Sequence, residues 1–123
     1  MSNEFRRALQ QMRRRDPQTA EDGFHRLREL ASEHVEDLIT EFHTETEHGT
    51  RCWLLELIGD AKSELALPLL TAELHNDDES LRDWAIRGLL LLDTPEARRQ
   101  VWQWHQNNPG HSPDRSPTGR RAP

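Results

Sequence analysis

An all-α fold of stacked helix pairs is the architecture this 123-residue sequence predicts. Three observations carry that expectation. A spacing of 31 residues recurs: Ser32-Glu33 reappears as Ser63-Glu64, and Val35, Leu38, Ile39 and Thr40 are matched by Ala66, Leu69, Leu70 and Thr71. One further step reaches Ala97 and Val101, while Trp53 maps onto Trp84. The registers Phe24/Leu55/Ile86, Leu27/Ile58/Leu89 and Leu30/Ala61/Leu92 are apolar in every copy. A fixed period in this range marks supersecondary units that bury their faces against one another. Finally, Tyr is absent, Gly is sparse and runs of Val, Ile and Thr are lacking, so strands have little support.

Residues 3–15 set Phe5, Leu9 and Met12 at i, i+4 and i+7 and predict a helix capping the first unit. Asp16-Pro17 ends it, because the residue before proline is driven out of the helical region. The first unit, about 19–45, pairs helix 19–31 (Phe24, Leu27, Leu30, Ala31) with helix 33–45 (Val35, Leu38, Ile39, Phe42). Ser32 is placed to be the N-cap of its second helix. The middle unit, about 50–75, pairs 50–60 with 64–75. Here Gly59-Asp60 is expected to close the first helix, Ser63 to cap the next, and Pro68 to bend it from within. The third unit, about 78–106, pairs 78–91 with 95–106, started by Asp77 or Asp78 and by Thr94-Pro95. Residues 107–123 are rich in Pro, Gly, Ser and Arg and are expected to form a disordered tail.

The run Arg51 to Leu74 resembles HEAT repeats, and most closely the short HEAT-like repeats named after phycobilisome lyases. Leu54, Leu55, Leu57, Ile58, Gly59 and Asp60 match an apolar first helix ending in Gly-Asp. Ala66, Leu67, Pro68 and Leu70 match the Ala-Leu-Pro-x-Leu that opens the second. The resemblance is close over 50–75, partial over 78–105, where the proline moves forward to Pro95, and faint over 19–45. It implies a short right-handed α-α superhelix whose second helices face a partner. It does not imply lyase chemistry.

Composition narrows the function classes. No apolar stretch approaches the ~18 residues of a membrane span, and no secretory signal opens the chain. Cys52 stands alone, which excludes an internal disulfide and suits a cytoplasmic setting. The net charge of −6 is uneven: residues 1–15 carry +4, 16–50 carry −8, 51–107 carry −4 and 108–123 carry +2. An acidic body disfavours nucleic acid, and the basic start could lie against the acidic first unit.

No Gly-rich phosphate loop, His-Glu-x-x-His motif or Gly-x-Ser-x-Gly elbow occurs, so neither catalysis nor a cofactor is expected. Glu41, His43, Glu45, Glu47 and His48 offer ligand atoms, but the end of a charged helix accounts for them without metal. Trp53 and Trp84 share one register and are expected to pack. Cys52 reads as a small buried filler.

The outward positions of the second helices are Glu36, Asp37, Thr40, Glu41 and Thr44, then Leu67, Pro68, Thr71, Ala72 and His75, then Arg98, Arg99, Trp102, Gln103 and Gln106. This face is acidic at one end and basic with an aromatic at the other. Arg and Trp tend to dominate interface energetics. The expected function is therefore non-catalytic binding of another protein, as an adaptor, a regulator or a toxin-neutralising immunity-type inhibitor. Its anchors would be Arg98, Arg99 and Trp102, with Glu36, Asp37 and Glu41 at the acidic end. The alternatives are a bilin lyase or chaperone-like protein and a nucleic-acid-binding HEAT-like protein. The chain is expected to be a monomer or a weak homodimer, pairing through the Trp104 or Trp84 surfaces.

Overall fold

The computed structural model describes residues 2–109. Every regular element among them is helical: α1 (Asn3–Met12), α2 (Pro17–Leu30), α3 (Val35–Thr44), α4 (His48–Asp60), α5 (Leu67–Glu73), α6 (Glu79–Leu92) and α7 (Pro95–Asn107). Two 3-10 turns, Ala31–Glu33 and Glu64–Ala66, lead into α3 and α5. The expected tail beyond residue 109 lies outside the described residues.

Side-chain caps fix most of the starts. Oxygens of Ser2, Asp16, Glu47, Asp78 and Thr94 accept the N–H groups of Phe5, Thr19, Thr50, Leu81 and Ala97. Each satisfies a donor that the first helical turn leaves without a partner.

Three local expectations are corrected. The first helix ends at Met12 rather than residue 15, and α2 already begins at Pro17, with Asp16 as its cap. Ser32 lies inside a 3-10 turn, and α3 starts after His34, which makes no side-chain cap. Pro68 occupies the first turn of α5, where its missing N–H costs nothing, so it starts the helix instead of bending it. As expected, Gly59 and Asp60 are the last two residues of α4, and Lys62 (φ 52°) takes the left-handed conformation just after it. Its equivalent one period on, Asp93 (φ 53°), does the same after α6.

α1 packs along α2, α3 and α6 pack on α4, and α5 and α7 pack on α6. Residues one period apart share environments. Phe24/Leu55/Ile86, Leu27/Ile58/Leu89, Val35/Ala66/Ala97 and Trp53/Trp84 are all buried. The joints between successive first helices also fall at equivalent positions. Arg28 on α2 reaches forward to Glu56 and Asp60 of α4, both at 3.1 Å. Gly59, 31 residues later, backs onto Gly88 of α6. A Cβ on Gly59 would lie 2.9 Å from the Gly88 Cα, so these two backbones meet with no side chain between them.

Candidate partner-binding surface

The second helices expose the face expected from the register. Glu36, Thr40 and Thr44 on α3 are exposed, as are Pro68, Ala72 and His75 on and just after α5. On α7 the exposed set is Arg98, Arg99, Trp102, Gln103 and Gln106. Helix rotation explains the aromatic. Ala97, Val101 and Trp104 point into the core, and Trp102 sits about 100° round from Val101. It is 63% exposed, the most open of the large apolar side chains. Trp104 and Trp84 are buried, so the surfaces expected to mediate pairing are core.

The charges of this face are largely met from within the chain. Arg98 pairs with Asp93 at 2.9 Å and Arg99 with Glu96 one turn earlier. Asp37 faces His34 across 3.1 Å. Glu41 belongs to a different construction. Arg13, just past the end of α1, donates to Glu41 at 2.8 Å and to Glu45 at 3.0 Å. Burial alone would lower the Arg13 pKa, but the two carboxylates outweigh it and raise the value. The basic start thus lies against the acidic first unit, and Glu36 is left as the exposed acid of the three expected on α3.

The remaining members of the 41–48 cluster diverge. Glu47 caps α4, and hydrogen bonds from the Thr50 and Gly49 N–H groups hold its carboxyl below the usual range. His48 pairs with Asp78 at 2.9 Å and ties the start of α4 to the start of α6. Burial pushes the Asp78 carboxyl up. The Leu81 N–H and His48 outweigh it, and the net shift is downward.

Cys52, His48 and Asp78 lie together, as a thiol–imidazole–carboxylate set would. The geometry is wrong for nucleophilic catalysis. The same imidazole nitrogen, Nε2, faces both the thiol (3.8 Å) and Asp78 (2.9 Å), whereas a relay uses opposite sides of the ring. Desolvation, with Asp78 and Glu47 adding to it, pushes the thiol up to about 12, which keeps it protonated and unreactive.

One charged cluster escapes sequence reasoning. Arg28, Glu56, Asp60 and Arg87 join α2, α4 and α6, with Arg87 to Asp60 at 2.8 Å. Arg28, Asp60 and Arg87 border a cleft of about 400 Å³ that also includes Ala31, Ser32 and Ala61. Glu56 is only 1% exposed. Its signal was an acid within the apolar run Leu54–Ile58, four residues before Asp60 and so on the same side of the helix.

No helix among the described residues is long and apolar enough to cross a membrane. Comparisons with family models, with curated proteins and with solved structures give no match to this chain.

Proposed function

We propose that the chain is a short HEAT-like solenoid that binds another protein through the outer faces of α3, α5 and α7, without catalysis. The recurrence of environment every 31 residues supports the repeat reading, because equivalent positions are buried, joined or exposed together. The observation that carries the binding reading is Trp102, a 63% exposed indole beside Arg98 and Arg99. Burying such a side chain in a partner's pocket stabilises a complex by about 2 kcal/mol or more. Arg98 and Arg99 remain exposed although each is ion-paired within the chain.

The acidic α3, which carries neither Lys nor Arg, favours a partner with a basic surface, as an immunity-type inhibitor would need. A cytoplasmic setting, where thiols stay reduced, suits the lone buried Cys52.

The test is capture of partners from the native cell by the tagged protein and by a Trp102→Ala/Arg99→Ala double variant. The double variant is expected to lose the captured protein at least tenfold while keeping its circular dichroism and melting temperature. Undiminished capture would remove this face as the binding surface.

A further inference from the structure

Most cations of this chain are met from within it. Arg13 pairs with Glu41 and Glu45, and Arg26 with Glu4. Arg28, Arg87, Arg98 and Arg99 each hold a carboxylate, while Arg51 and Arg82 lie over the Phe42 and Trp104 rings. Four arginines at the start of the chain differ. Arg6, Arg7, Arg14 and Arg15 are exposed, and none is ion-paired among the described residues. The acids nearest to them are committed elsewhere: Glu4 to Arg26, Glu41 and Glu45 to Arg13, and Asp16 to the Thr19 N–H.

The element that carries them is fixed in place. Phe5, Ala8, Leu9 and Met12 bury one side of α1 along α2, and Arg13 ties its end to α3. Arg6 and Arg7 lie outside that buried stripe, and Arg14 and Arg15 occupy the turn joining α1 to α2. The other exposed residues of α1 are Asn3, Glu4 and Gln10, so its open side bears no aromatic or aliphatic side chain.

Four unmatched guanidinium groups on a chain of net charge −6 select an anion, and their surroundings select its size. A long polyanion such as a nucleic acid would run past them onto residues 16–50, which carry −8. A face without aromatics gives bases nothing to stack on, and one without apolar side chains gives a bilayer nothing to take up. A short run of Asp and Glu ends before that repulsion begins, and each carboxylate accepts two N–H groups from one guanidinium. We propose that the open side of α1 and the turn after it form a second docking surface, which takes a short acidic segment of a partner protein through Arg6, Arg7, Arg14 and Arg15. This surface is independent of the face on α3, α5 and α7, whose acidic end suits a basic partner.

Fluorescence anisotropy of a labelled oligoglutamate peptide titrated with the full chain tests this. Binding is expected, and it should weaken as salt rises, because exposed charges are screened. A variant with all four arginines changed to Gln is expected to bind about tenfold more weakly or worse, with unchanged circular dichroism. Arg6→Gln/Arg7→Gln serves as a milder variant should the fourfold change disturb folding. Arg98→Gln/Arg99→Gln is expected to bind the peptide as the unmodified chain does, which separates this surface from the other face. No binding by the unmodified chain, or equal binding by the folded α1 variants, would overturn the proposal. Tighter binding of a single-stranded oligonucleotide or of phosphatidylserine vesicles than of the peptide would also overturn it, because the arginines would then serve phosphate.

Discussion

Position 28 on α2 and position 59 on α4 are equivalent, yet the contacts they make to the next helix, α4 and α6, are of opposite chemistry. At the first, Arg28 extends from α2 to Glu56 and Asp60, so the contact is made by long charged side chains. At the second, Gly59 and Gly88 bring two backbones together, with the Leu70 side chain closing over Gly88. One repeat position can therefore be filled by reach or by closeness. The charged joint tolerates adjustment because the Arg28 side chain is half-exposed and can change its path to Glu56 and Asp60. The glycine joint has no slack, because every atom a Cβ would meet first is backbone or packed core.

The largest effect that would sharpen this contrast is expected at the glycine joint. Gly59→Val should lower stability by about 3 kcal/mol in urea titration, since the added atoms must push α6 away. A change under about 1 kcal/mol would show that the helices separate freely and would erase the distinction.

At the charged joint two substitutions should differ. Glu56→Gln leaves a buried amide facing a guanidinium and should cost about 1–2 kcal/mol. Arg28→Lys should cost less than about 1 kcal/mol, because a cation on a half-exposed side chain can still reach Glu56 and Asp60. If Arg28→Lys proved as damaging as Gly59→Val, the two joints would not differ in kind.

A pH-dependent effect separates both joints from the helix starts. Glu47 and Asp78 cap α4 and α6, and both carboxyls are held below their ordinary range in the folded chain. The unfolded chain then binds more protons than the folded one as the solution is acidified. Their stabilising contribution is complete above the ordinary carboxylate range near pH ~4 and is lost as pH falls through the depressed values. Asp78→Ala should cost about 1 kcal/mol at neutral pH and flatten the acid limb of a stability-versus-pH curve. A variant with an unchanged acid limb would show that the cap carries none of that dependence.

Much of this was legible in the chain. The 31-residue step located the helix pairs, and the apolar registers named Phe24, Leu55, Ile86, Leu27, Ile58 and Leu89, all of them buried. Thr94-Pro95 and Asp78 announced their helix starts, and the rotation of Trp102 away from Val101 announced its exposure. These are local or periodic properties, set by backbone sterics and by which side of a helix is apolar.

Where the sequence misled, the deciding neighbour was distant along the chain. Gly59 does stand at the end of α4, as the sequence suggests, but it also serves as a packing surface. Its use depends on Gly88, 29 residues away, lying against it. Glu41 reads as an open acid until Arg13 arrives from α1. Trp104 and Trp84 read as surfaces for pairing until α5, α6 and α7 close over one another.

The chain by itself determined that helices form, how often they recur and which stripe of each is buried, because period and capping are written in neighbouring residues. Only the tertiary structure decided which charges neutralise one another, which glycines touch and which apolar side chains, Leu90 and Trp102 among them, stay in water. Those outcomes depend on distances between elements, and distances are fixed only when the helices pack.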